Sequence, residues 1–252
     1  MKKVLFISVL AFAILATGCK KEKSKSLEYN DSNPINMVLR GEHQIDVPSA
    51  YDITYKSLNE TAVTVTKSGN LYGKNVGEAQ VKIDNGYESK TVDVIVDLFT
   101  EPTFEFGCNP NRIKSLYGQP YAAGYADTIL VYTYTTNNGY SYACGQMDFF
   151  FYNGSYFESD VYIRPNVEVL LNRYLNENFT AIDTLKVYNP YIEDSTDAAI
   201  FRNKLDNNVM CGKYAAQNEP YNEWLIFYFP VDNSEKSFAN VLKRRPRSSK
   251  LR

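Results

Sequence analysis

Few residues in this chain are equipped to do chemistry, and they stand far apart. His43 is the single histidine among 252 residues. A Ser-His-Asp or Cys-His arrangement needs an imidazole beside its nucleophile, so the chain beyond residue 99 can build neither. Cys19, Cys108, Cys144 and Cys211 lack the close spacing of zinc ligands, and no glycine-rich phosphate loop is present. Glu193, Asp194 and Asp197 come nearest to the acid pair of a glycosidase or a calcium-binding loop. A run this polar reads first as a solvated loop. Tyr132, Tyr134, Tyr140 and Tyr142 alternate with Thr, Asn and Ser. Flat rings beside amides and hydroxyls suit sugars, which present C–H patches between hydroxyl groups. The competing reading has these rings cover the helix side of a sheet with their hydroxyls reaching water. The expectation is therefore no catalytic residue, no metal ligand and no cofactor, with the four tyrosines as candidate ligand-binding aromatics.

Cys19 belongs to a stretch of another kind. Lys2 and Lys3 precede an apolar or small-residue run from Val4 to Ala16. That run is shorter than the ~18–20 residues that cross a bilayer, so it reads as an export signal. Leu15-Ala-Thr-Gly-Cys19 resembles the lipobox of bacterial lipoproteins, with Ala16 where leucine is commonest. The resemblance implies removal of residues 1–18, lipidation of Cys19 and a lipid anchor in the outer membrane, facing the cell surface or the periplasm. Residues 19–30 are charged and without an apolar period, as expected of a tether.

From Ile35 to Val96 the apolar period becomes two: Ile53 and Tyr55, Val63 and Val65, Ala79-Val81-Ile83, then Val92-Val94-Val96. Ser68-Gly-Asn, Lys74-Asn-Val-Gly and Asp84-Asn-Gly separate these runs with turn-forming residues. Short alternating strands at this spacing predict a small β-sandwich over residues 31–98. Ser57, Asn59, Ala62, Val63, Gly69, Leu71, Gly73, Gly77, Ala79 and Val81 resemble the pattern of group 2 bacterial Ig-like domains. Tyr55 stands where that family usually has a tryptophan. The resemblance implies an Ig-like fold and a surface habitat.

Leu98–Pro102 marks the expected boundary to an α+β domain at 99–232. Asn109-Pro110 starts a helix that Gly118 ends. Strand-like runs follow at 128–135, 146–152 and 156–163, the last two joined by Asn153-Gly154. Val167, Leu170, Leu171, Tyr174 and Leu175 predict a second helix, followed by strand-like runs at 184–188, 207–215 and 223–229. For residues 196–205 a short helix capped by Ser195 is the alternative to a strand-like run. Trp224 reads as core. A Cys-Gly pair in each half suggests a duplicated unit with two helices on one antiparallel sheet. Two readings of the cysteines stand open: a Cys144–Cys211 disulfide with Cys108 a reactive thiol at a helix start, or three buried reduced thiols. Phe106-Gly107 and Phe229-Pro230 resemble C-terminal domains of uncharacterised surface lipoproteins of gut bacteria.

Residues 233–252 end in a basic run, KRRPRSSKLR, expected to be a solvated tail. The chain's net charge of −2 shows no basic excess and argues against a nucleic-acid partner. The sequence thus predicts a lipid-anchored, non-enzymatic binding or adhesion protein whose partners are the membrane and a glycan or envelope protein. The alternatives are a structural subunit of an envelope complex and a carboxylate-dependent hydrolase.

Overall fold

A computed structural model describes residues 26–48, 52–133, 142–217 and 222–231, and the chain is mostly β-structure. The first seven strands are β1 (Ile35–Val38), β2 (Glu42–Gln44), β3 (Thr54–Ser57), β4 (Val63–Val65), β5 (Asn70–Gly73), β6 (Gly77–Asp84) and β7 (Ser89–Asp97). They form a four-stranded sheet, β1-β7-β6-β3, and a three-stranded sheet, β2-β5-β4. The β1–β7 pairing is parallel and the rest are antiparallel. The expected alternation holds. Ala79, Val81 and Ile83 of β6 and Val92, Val94 and Val96 of β7 point into one core with Ile35, Val63 and Leu71. Each fully buried aliphatic side chain contributes about 1.5–3 kcal/mol, so these two strands anchor the sandwich. Tyr55 lies beneath the turn before β5, where a Cβ on Gly69 would sit 2.7 Å from its ring. Gly69 also has a φ of +86°, so any larger residue would meet both strain and a clash.

Among the described residues after 98, a helix followed by four strands occurs twice. The first set is α1 (Pro110–Tyr117), β8 (Ala122–Ala123), β9 (Ile129–Thr133), β10 (Cys144–Tyr152) and β11 (Ser155–Ile163). The second is α2 (Glu168–Asn178), β12 (Phe179–Asn189), β13 (Asp194–Asn203), β14 (Val209–Ala215) and β15 (Trp224–Pro230). All eight strands join one sheet in the order β12-β13-β14-β15-β11-β10-β9-β8. The final strands of the two sets meet at its centre, antiparallel from Ser159↔Tyr228 to Ile163↔Trp224. Asn109 caps α1 as expected, its Oδ1 accepting the Arg112 N–H at 3.1 Å. One face of the sheet packs against the helices through Ile113, Leu171 and Leu175. The other face carries Tyr162, Tyr214, Leu225, Phe227 and Phe229. Trp224, expected in the core, is only partly buried, with the Lys213 ammonium 3.9 Å above its ring.

The structure decides two readings that the sequence leaves open. Residues 196–205 are not helical, because Asp194–Asn203 forms β13 and pairs on both sides with β12 and β14. Ala198 and Ile200 alternate into the core, and that burial outweighs the capping signal of Ser195. No disulfide joins Cys144 to Cys211. They sit at matching places, the third strand of each set, but three strand spacings apart, or about 14 Å, beyond the ~4.4–6.8 Å a bridge requires.

The Cys211-Gly212 pair has a packing cause. The Phe227 ring lies over Gly212, where a Cβ would stand 2.0 Å from the ring. Gly212→Ala must displace a wholly buried phenylalanine in the adjacent central strand. We expect it to destabilise the protein by about 1–3 kcal/mol, read as a lower urea midpoint with an unchanged slope.

Candidate functional site

The connection between the sandwich and the eight-stranded sheet is itself partly buried. Leu39, Leu98 and Phe99 each lie in the core beneath the helices. The Leu39 N–H donates to the Asp97 carbonyl at 2.8 Å and thereby holds the end of β1 against the end of β7. A buried connecting segment must satisfy its own backbone polar groups, and here tyrosine hydroxyls do so. Tyr117 Oη accepts the Thr103 N–H at 2.7 Å and donates to the Glu101 carbonyl at 3.3 Å. Tyr156 Oη donates to the Thr103 carbonyl at 3.0 Å and lies 3.0 Å from Ser159 Oγ. Tyr174 Oη donates to the Glu101 carboxyl and lies 3.2 Å from Tyr228 Oη.

Beside this segment a cleft of about 520 Å³ opens between the sandwich and α2. Asn36, Glu78, Asp97 and Glu101 line one wall, and Arg173, Tyr174, Glu177 and Asn178 the other. Glu101 is open to solvent along one side. Protein walls nevertheless strip water from its carboxyl, and together with Asp97 they push its pKa up from 4.5 to about 7. Burial also raises Asp97. Two perturbed carboxyls thus stand among convergent hydrogen-bonding groups. Such a setting marks a binding-site candidate. A second hollow of about 510 Å³, along Pro34, Leu58, Asn59 and Asp93, is a more open surface of the sandwich. Sequence reasoning did not find the cleft, because its walls come from β1, β6, β7 and α2. The one available signal was the acidic pair Asp97 and Glu101 flanking the boundary.

The residues singled out from sequence are scattered. Tyr132 is a core residue rather than a surface ring. It packs edge-on to Phe149 at 5.7 Å, and its hydroxyl donates to the Gly118 carbonyl at 3.0 Å. Burial pushes its pKa up to about 12. Tyr142 is 40% exposed, with the Arg40 guanidinium 5.6 Å from its ring, and Tyr134 and Tyr140 lie outside the described residues. Arg40 also donates to Tyr72 Oη at 3.0 Å, so it ties the sandwich to the segment before β10. Glu193, Asp194 and Asp197 are exposed along the β12–β13 hairpin, Asp197 paired with Lys186 at 2.9 Å, and they do not face one another across a cleft. His43 sits on β2 with Nε2 2.8 Å from Asp31 Oδ1. Among the described residues no group of three or more His, Cys, Asp or Glu side chains could hold a metal ion. Cys108 is not an activated thiol: burial and the Glu105 charge raise its pKa, outweighing the Arg112 charge. Burial raises Cys144 and Cys211 further. Cys19 lies outside the described residues, as does the basic tail. No helix among the described residues is long and apolar enough to cross a membrane.

No protein-family model matches the chain, and no curated protein matches it significantly. Solved structures that it resembles include the following. One is a GH10 xylanase containing a bacterial Ig-like domain, from termite gut, at 16% identity and TM-score 0.26; the match takes in 33% of this chain and spans 23% of that one. Domains 5–6 of the S-layer protein SbsC match at 10% identity and TM-score 0.24, over 83% of this chain and 88% of that one. The EC1-2 portion of human protocadherin-24 matches at 10% identity and TM-score 0.25, over 55% and 85% of the two chains. At these TM-scores the likenesses carry no argument about what this chain does.

The Glu101 shift makes stability depend on pH in a definite direction. Its folded pKa lies above the unfolded value. Between pH 4.5 and about 7 the folded chain therefore keeps a proton that the unfolded chain has lost. The stabilisation is full below 4.5 and is lost as pH rises through 7. We expect the wild-type protein to be less stable at pH 8 than at pH 5 by on the order of 1 kcal/mol, after allowance for solvent screening. Glu101→Gln, which stays neutral, should remove most of that difference in urea titrations at the two pH values.

Proposed function

We propose that this is a lipid-anchored protein of the bacterial cell envelope with a non-enzymatic binding or adhesion role. In this reading an Ig-like sandwich (31–98) serves as a stalk and a helix-and-sheet domain (99–232) as the head. Leu15–Cys19 carries the proposal: a short export segment ending in a lipidatable cysteine, followed by a charged tether. The fixed joint supports it, since Leu39, Leu98 and Phe99 bury the connection and would hold the head at a set angle. The ligand class this reading favours is a glycan, received in the cleft, where Asn36, Asp97, Arg173 and Asn178 offer hydrogen bonds. Cys19→Ala should move the protein from the detergent phase to the aqueous phase, because stable anchoring depends on the acyl chains. Unchanged partitioning would overturn the lipid anchor.

A second reading, a subunit of an envelope assembly, is favoured by β12. This long strand lies at one edge of the eight-stranded sheet and leaves Ile182 48% and Tyr188 37% exposed. A partner strand added there would complete its hydrogen bonding. If so, detergent-solubilised cells should yield a stoichiometric partner that is lost from an Ile182→Pro variant and retained by Cys19→Ala.

A further inference from the structure

The two edges of the eight-stranded sheet are unequal. β8, at one edge, has two residues, whereas β12, at the other, has eleven. Natural sheets shorten, charge, bulge or cover an edge strand, because its outer peptide groups pair readily with another chain. β8 meets that rule by its length. β12 is about twice the usual ~5–6 residues, and its bulge between Ala181 and Asp183 leaves Asp183–Asn189 in regular register. Thr180, Ala181, Ile182, Asp183 and Thr184 are consecutive and all exposed. Successive side chains point to opposite faces of a strand, so both faces of β12 stand in solvent here. Lys186, the one cation of the strand, is already paired with Asp197 of β13 at 2.9 Å.

We propose that β12 pairs antiparallel with β12 of a second copy of this chain, about a two-fold axis at Leu185, so that two eight-stranded sheets join as one. The inference rests on the reading of β12 as an assembly edge and names the chain that fills it. The unequal edges favour a copy related by a two-fold axis. Within this fold only another β12 matches β12 in length, and such pairing uses the edge up, so the assembly closes at two. The sequence selects the register. A two-fold axis perpendicular to the sheet sets one residue opposite its own copy and mirrors the rest. Centred on Asp183 or Lys186, the pairing sets like charges directly opposite, which destabilises it. Centred on Thr184, it sets Asp183 against Leu185 and Lys186 against Ile182, so each charge faces an apolar side chain. Centred on Leu185, it sets Leu185 against itself and Lys186 against Thr184, leaving only Asp183 to face an apolar residue, Val187. It also brings Ile182 beside Tyr188, the two residues that are 48% and 37% exposed in the single chain. An axis nearer either end of the strand pairs fewer residues.

Cysteine substitution reads this register directly. Residues opposite one another in an antiparallel pair have Cα atoms about 4.5–5.5 Å apart, inside the ~4.4–6.8 Å a disulfide requires. The purified full chain carrying Leu185→Cys should therefore become a covalent dimer on mild oxidation. It should do so at least about tenfold faster than chains carrying Thr184→Cys or Lys186→Cys, whose copies lie two residues out of register. Sedimentation should show the wild-type protein as a dimer at micromolar concentration. Ile182→Pro, which removes a donor from the edge, should raise its dissociation constant at least about tenfold, and this measurement stands where a cysteine variant does not fold. Equal cross-linking at all three positions, or a dimer indifferent to Ile182→Pro, would overturn the proposal. A wild-type monomer whose captured partner is still lost with Ile182→Pro overturns self-pairing alone, and leaves the assembly reading with another chain on β12.

Discussion

The rest of the structure depends on how the segment from Leu98 to Phe106 is held. A connecting segment in water needs nothing from its neighbours, whereas one buried between two β-structures must find a partner for every peptide group. Tyr117 and Tyr156 supply those partners through hydroxyls that reach the backbone from α1 and β11. A tyrosine can be core along its ring and polar at its tip, and the chain's 21 tyrosines include several used this way. Phe104 and Phe106 complete the hold by packing against Tyr228 and Tyr156, with centroids at 5.6 and 4.9 Å. Apolar burial of Leu98 and Phe99 thus sets the joint, and the hydroxyls make that burial affordable in hydrogen bonds.

That joint creates the cleft. Fixing α2 against the ends of β1 and β7 brings Asp97 and Glu101 close within partly dehydrated walls, which is why Glu101 holds its proton so far above the usual carboxylate range. Its titration near neutrality couples the joint to the acidity of its surroundings. Arg40, held between Tyr72 and Tyr142 on another part of the joint, keeps its charge at any such pH.

What the sequence made legible was local. Period-two alternation located β6 and β7, because a sandwich strand buries one face and its side chains must alternate. Asn109-Pro110 and Asn153-Gly154 located a helix start and a hairpin, because caps and tight turns are set by two or three adjacent residues. The cysteine readings and the 196–205 helix turned on tertiary placement. A Cys-Gly repeat does mark equivalent strands, yet the glycine is explained by the Phe227 ring and the thiols by burial. The two readings of the tyrosines stood open for a related reason. Alternation shows that Tyr132 shares a face with its i+2 neighbours, not whether that face meets water or α1. Convergence of β1, β7 and α2 on one cleft has no signature in spacing at all.

The meeting of β11 and β15 at the centre of the sheet has a consequence for how the chain is made. These strands are more than sixty residues apart in sequence, so their pairing carries a large loop-closure cost and forms slowly relative to the hairpins on either side. Until β15 arrives, β11 is an open edge bearing Val161 and Ile163, the kind of template on which unfolded chains associate. β15 is the last strand described before the C-terminal segment, so the edge is closed only when nearly the whole chain has been delivered. Whatever shields that edge in the interval, a chaperone that covers open strands above all, would govern the yield of folded protein.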